Sequence, residues 1–201
     1  LRTTLLPHLK AADPQGFARP FAALVLAEVA RVDRRKPYLS PVARQELVAA
    51  AAAYLSGVRD YRGFEPQVGW RHGVAHGADL MLQLALNPAL GRSEHEAMLA
   101  AIASQVLPSH FYIYGEGERL MAPVFYLARR DTLTATDWEA WLSRLVSARQ
   151  PTQPASQAAL AQAHNLKQFL YPLFAALSQS PDAAQRERLL PALIRALKTL
   201  D

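Results

Sequence analysis

The chain has 201 residues, 51% of them hydrophobic and 19% charged, with a formal net charge of +5 and no cysteine. That length and apolar content give a folded globular protein with a sizeable core, and no apolar run is long enough to span a membrane. Without cysteine there are no disulfides and no thiolate metal ligands. The positive charge is spread along the chain apart from Arg34-Arg35-Lys36, so no specific nucleic-acid partner is expected.

Helical spacing recurs from end to end, and strand alternation is almost absent. Pro20 opens a helix over 20–33 carrying Phe21, Leu24, Val25, Val29 and Val32 on one side. Ser40-Pro41 starts a second over 41–56, which Gly57 stops. Residues 58–69 read as a polar loop, and a third helix over 70–86 ends at Asn87-Pro88. Ser93 followed by Glu96 is a capping box for a helix over 94–107, ended by Pro108. His110 to Tyr114 is the one strand-like run and reads as an extended loop laid on helices. Gly115-Glu116-Gly117 leads into a helix over 118–130, bent near Pro123. Thr134 and Asp137 cap the next, 135–148, whose Trp138 and Trp141 belong in the core. Residues 149–156 are a linker, followed by helices over 156–178 and 181–199. The fold expected is all-α, an irregular α-solenoid of HEAT- or armadillo-like antiparallel helix pairs. It forms a single helical domain over 1–201, with a C-terminal helix pair over 156–200.

The densest chemistry lies at residues 69–79, Gly-Trp-Arg-His-Gly-Val-Ala-His-Gly-Ala-Asp. On a helix His72, His76 and Asp79 share one face, and with Gln83 they fall in a stripe about 60° wide. Leu80, Leu82 and Leu86 flank that stripe, while Trp70, Val74 and Met81 take the opposite face. A polar stripe hemmed by leucines implies a sheltered groove or a satisfied interior network. Gly73 and Gly77, also four apart, mark either close helix packing or room for a ligand.

Arg62-Gly63-Phe64, Gly69-Trp70, His72, Ala75-His76-Gly77-Ala78-Asp79-Leu80 and Glu118-Arg119-Leu120, with Phe17-Ala18-Arg19-Pro20-Phe21 upstream, together resemble an uncharacterised bacterial family. That family is known only as a domain of unknown function with a Gly-Trp-x-His-x-x-Ala-His-x-Ala-Asp motif. The resemblance covers roughly residues 15–148 and departs at Pro14-Gln15-Gly16, where the family often has Ser. It implies a helical fold and brings no activity, substrate or cofactor.

Three readings of the constellation stay open. His72, His76 and Asp79 have the spacing to hold a divalent metal such as zinc, with Glu116 or Glu118 completing the set. That reading makes the protein a metal-dependent enzyme, a hydrolase, although Gly73 stands where zinc proteases carry Glu. In the second reading Arg62, Glu116, Glu118 and Arg119 pair with the His and Asp groups and pin the loops 58–69 and 109–119 to the motif helix. In the third, Trp70, Tyr61, Phe64, Tyr112 and Tyr114 wall a pocket for an anionic or sugar-like ligand. The function favoured across these is a helical-repeat binding or scaffold protein with a small molecule or a protein as partner. Its groove residues are Arg62, Trp70, His72, His76, Asp79, Glu116, Glu118 and Arg119. The chain begins with Leu, so a natural start upstream and a removed signal peptide are allowed for, with a cytoplasmic setting favoured.

Overall fold

The structure, a computed structural model, describes every residue except Thr152, Pro154 and Asp201. Its regular structure is helical apart from one small hairpin: α1 (Arg2–Leu5), a 3-10 turn (Leu6–Leu9), α2 (Ala18–Arg35), α3 (Pro41–Ser56), β1 (Phe64–Glu65), β2 (Gly69–Trp70), α4 (Gly73–Ala85), α5 (Arg92–Val106), α6 (Glu116–Leu127), α7 (Ala135–Ser147), α8 (Gln157–Ser178) and α9 (Ala183–Leu197). The all-α expectation holds. The chain divides into two compact units, Leu1–Gln105 and Val106–Asp201. The linker expected at 149–156 contains Thr152 and Pro154, which lie outside the described residues. Among the described residues no helix is long and apolar enough to cross a membrane.

The helix starts follow from local chemistry. Ser40 Oγ accepts the Ala43 N–H at 3.2 Å with Pro41 at the first helical position, so α3 begins where the Ser-Pro pair puts it. Thr134 and Asp137 form a reciprocal capping box at α7, and Ser156 Oγ caps α8 through Ala159 N–H at 3.1 Å. Two other starts use caps that the sequence did not single out. At α5 the carboxylate that turns back is Glu94, whose Oε2 accepts the Gly91 N–H at 3.1 Å, so the helix begins at Arg92. Glu96 faces along the helix instead and pairs with Arg92 at 2.8 Å. At α9 the cap is Asp182, accepting Gln185 N–H at 3.0 Å, so the helix begins at Ala183 rather than at 181.

In the first unit α2 packs along α4, and α3 closes on α4 from another side. Leu26, Ala30, Leu47, Leu55, Val74, Ala78, Met81, Leu84 and Ile102 are buried there. Gly77 lies close against α3: a Cβ on it would lie 2.9 Å from Leu55 Cδ1 and 3.1 Å from Tyr54 Cε1. Its glycine serves helix packing, the first of the two roles open for it. Asp33 ties the ends of three helices together. Its carboxylate accepts from Arg44 Nε at 2.6 Å and Nη2 at 3.1 Å, Tyr38 N–H at 2.9 Å, Leu39 N–H at 2.8 Å and Asn87 Nδ2 at 3.0 Å.

The second unit pairs α6 with α8, α7 with α9 and α8 with α9. Trp138 and Trp141 are buried in T-shaped contact at 5.9 Å, as their spacing predicts. His110 to Tyr114 is an extended loop, pinned by Asn165. Asn165 accepts Tyr112 N–H at 2.9 Å and donates to His110 O at 2.7 Å. Gln185 and Arg188 of α9 donate to Phe125 O (2.6 Å), Ala128 O (2.6 Å) and Arg130 O (2.7 Å), supplying partners to carbonyls at the end of α6. Gly117 lets α6 approach α8, since a Cβ there would meet Gln168 O at 2.7 Å.

Candidate functional site

The motif segment is not one continuous helix. Residues 64–70 form an antiparallel hairpin in which Phe64 faces Trp70 and Glu65 faces Gly69. Gln67 and Gly69 take positive φ in its turn. The pairing runs on beyond the strands, with Arg71 N–H donating to Gly63 O at 3.1 Å and His72 N–H to Arg62 O at 3.2 Å. Those two N–H groups are therefore spent on the hairpin, and the helix starts at Gly73 with His72 as its N-cap. The expected helix over 70–86 is corrected to Gly73–Ala85, and the polar loop over 58–69 to a loop that closes in a hairpin. His72 sits in the left-handed region at φ 53°, ψ 43°, which costs a non-glycine residue about 1 kcal/mol.

The stripe itself survives that change. His72 and His76 face each other edge to face at 6.1 Å, His76 Nδ1 lies 3.9 Å from Asp79 Oδ2, and Gln83 Oε1 accepts from Arg34 Nε at 2.9 Å. The His76–Asp79 distance is too long for a hydrogen bond. Both His76 ring nitrogens are enclosed and have no hydrogen-bond partner among the described residues. Opposite the stripe Val74 and Met81 are buried, as expected. Trp70 leaves that face altogether, because the hairpin turns it outward to 45% exposure.

What the hairpin builds instead is a line of rings. Phe64, Trp70, His72, His76, Phe21 and Phe17 follow one another with centroid separations of 5.2, 4.6, 6.1, 5.4 and 6.3 Å. Phe64, Trp70 and Phe21 are each more than 40% exposed, and Arg71 covers Phe17 from the far end at 4.6 Å. Phe21, read from sequence as one of the apolar residues of its helix, is part of this surface. Its spacing of four from Phe17 was the available signal, because it puts the two rings on one face of α2.

The other expected residues make the following contacts. Arg62 is exposed, and its guanidinium pairs with Asp60 through Nε at 2.8 Å and Nη2 at 2.6 Å. Arg62 holds the Asp60 carboxyl below its ordinary range. Glu116, Glu118 and Arg119 open α6 in the second unit. There Glu116 is buried and accepts the Tyr114 N–H at 2.9 Å, while Glu118 and Arg119 are exposed. Among the described residues no group of three or more His, Cys, Asp or Glu is arranged to hold a metal ion. Of the other histidines, His95 is fully buried, and His164 has Nε2 3.1 Å from Tyr112 O and its ring tilted against Phe111.

No curated protein and no solved structure matches the chain. A family model described as "Protein of unknown function (DUF2785)" matches residues 5–175, and the chain belongs to that family.

Proposed function

We propose that the protein is a binding protein whose first unit recognises a sugar-like small molecule on the ring surface of Phe64, Trp70, His72, His76 and Phe21. The observation that carries this reading is the unbroken line of rings with three of its members exposed. Large apolar side chains are drawn inward by roughly 25 cal/mol per Å² of buried area, so three exposed aromatic rings in one line, two of them adjacent and the third beyond the two histidines, need a use. Exposed ring faces take up the flat apolar face of a ligand. Asp79 and Gln83, further along the same stripe, supply polar groups for hydroxyls at its edge. A pyranose has both features. The left-handed backbone at His72 supports the same reading, since strain of that kind collects where a side chain must be aimed.

The helix packing supports a helical-repeat frame beneath the surface. In the first unit α2 packs on α4, and in the second α6 packs on α8 and α7 on α9, each pair two helices apart along the chain.

The reading is tested with a panel of soluble gluco- and N-acetylglucosamine oligosaccharides, read by calorimetry and by tryptophan fluorescence. Trp138 and Trp141 are buried in the second unit, so the exposed Trp70 reports on the surface. At least one saccharide should bind saturably. Trp70→Ala should weaken it about tenfold or more, the cost of removing a central aromatic contact, while leaving the melting temperature within about 2 °C. Failure of the whole panel to bind, or equal affinity in Trp70→Ala, would sink the proposal.

A further inference from the structure

Strand alternation sends Trp70 outward and its neighbour Arg71 inward, where Arg71 is only 7% exposed. Arg71 there lines a cavity of about 50 Å³ together with Arg19, Arg59, Tyr54, Asp13 and Asp60, and Gly73 at the start of α4 closes one wall. The cavity belongs entirely to the first unit, and none of its lining residues is one of the rings.

The charges around it do not cancel. Asp13 is committed to the backbone, accepting N–H from Gly16 at 3.0 Å, Phe17 at 3.2 Å and Arg19 at 2.9 Å. Asp60 is paired with Arg62, and Arg71 with Glu65. Arg19 donates Nε to Leu9 O at 3.0 Å and lies 5.7 Å over the Tyr54 ring. Arg59 donates Nη1 to Ser56 O and Val58 O. The partners of these two guanidiniums are carbonyls, the Tyr54 ring and, for Arg59, the Tyr61 hydroxyl, and no ion pair joins either to a carboxylate among the described residues. Four arginines (19, 59, 62 and 71) stand against three carboxylates (Asp13, Asp60 and Glu65). The start of α4 adds a helix N-terminus with no side-chain cap and no acidic residue in its first turn.

We propose that this cavity is a site for a phosphate-sized oxyanion, held between the Arg19 and Arg59 guanidiniums. Guanidinium forks match the paired oxygens of phosphate, and such a bond is about twice as strong as one between neutral groups. The volume admits more than a single water-sized group. The anion is either free phosphate or the terminal phosphate of an organic ester whose remainder stays outside.

Gly73 provides the decisive variant. A Cβ on it would sit 3.5 Å from Tyr54 Oη, 3.6 Å from Asp60 O and 3.6 Å from Val58 Cγ1. Those are ordinary contact distances to residues that line the cavity. Gly73→Ala therefore folds as the wild type does and places a methyl group in the anion's space. The experiment follows the melting temperature against inorganic phosphate, with sodium chloride at matched ionic strength as control. The wild type should rise by about 3–5 °C at tenfold the dissociation constant, saturably. Gly73→Ala should keep the wild-type melting temperature without phosphate and lose the rise, and Arg59→Gln should lose it too. A parallel titration with glycerol phosphate distinguishes the two sources. Saturation at lower concentration than inorganic phosphate assigns the site to an ester, and saturation at higher concentration assigns it to the free ion. The proposal is overturned if the wild type shows no rise beyond the chloride control, or if either variant responds as the wild type does.

Discussion

Replacing Asp33 by Ala should be the most damaging single change to the first unit that touches neither proposed site. Asp33 is 1% exposed, and its two oxygens take hydrogen bonds from a guanidinium, two backbone N–H groups and the Asn87 amide. Asp33→Ala strands all of them. Removing one partner of a buried ion pair costs about 3–5 kcal/mol, and each further unsatisfied buried donor about 1 kcal/mol or more. Arg44 is 13% exposed and can recover part of its hydration. We therefore expect a loss of about 4 kcal/mol, the middle of the ion-pair range. With a urea slope of about 2 kcal/mol per molar, that moves the unfolding midpoint down by about 2 M. Urea titration by circular dichroism measures it, and amide exchange in α2 and α4 localises it. Arg44→Ala should cost less, because the carboxylate keeps three of its donors. A loss under about 1 kcal/mol in Asp33→Ala would refute the reasoning, since it would mean that the stranded donors are solvated at no cost.

Two further outcomes follow from the same unit. Burial pushes the Asp33 carboxyl up, but Arg44, the two backbone N–H groups and Asn87 outweigh it and hold the group well below the usual carboxylate range. A carboxyl depressed in the folded state contributes fully above its unfolded value of about 3.9 and loses that contribution as the pH falls below it. Stability should therefore drop from about pH 4 downward, and Asp33→Asn should flatten that drop; parallel curves for the two proteins would contradict the assignment. Gly77→Ala should destabilise by about 1–3 kcal/mol, because its methyl meets Leu55 and Tyr54 at overpacked distances, whereas Gly73→Ala should not. Equal melting temperatures for Gly77→Ala and the wild type would show that α3 yields where the packing says it is stiff.

Much of the frame was legible because its signals are local. Ser40-Pro41 fixed the start of α3 to the residue, and Thr134 with Asp137 did the same for α7, since a cap depends only on side chains a few residues apart. The His72–His76–Asp79 stripe was legible for the same reason: a spacing of three or four makes proximity nearly automatic. The hairpin was not. Strands of two residues are too short to show a period, and of its three positive-φ residues only Gly69 announces itself by type; Gln67 and His72 do not. The long-range polar ties were illegible too. Asp33, Asn165, Gln185 and Arg188 belong to no motif, and most of their partners are backbone groups that no side-chain pattern reveals. Glu94 displaced Glu96 as the carboxylate at the start of α5, a choice between two acids two residues apart that spacing rules alone do not make.

The hairpin that escaped the sequence reading also explains how one short segment serves two faces. From Gly69 to Gly73 the chain passes through a strand, a left-handed residue and a helix start, so neighbouring residues point in opposite directions. Trp70 and His72 join the ring surface, while Arg71 and Gly73 line the arginine cavity. A helix over the same residues would have put 70, 73 and 74 on one side and merged the two. The two proposed sites share a backbone but no side chain, and they are separable by single substitutions. Trp70→Ala removes an exposed ring that does not line the cavity, so the phosphate-dependent rise in melting temperature should persist in it. Gly73→Ala adds a buried methyl whose nearest neighbours are Tyr54, Asp60 and Val58, none of them in the ring surface, so saccharide binding should persist there. Loss of both responses in either variant would mean that the segment moves as one piece and that the ring surface and the cavity are parts of a single site.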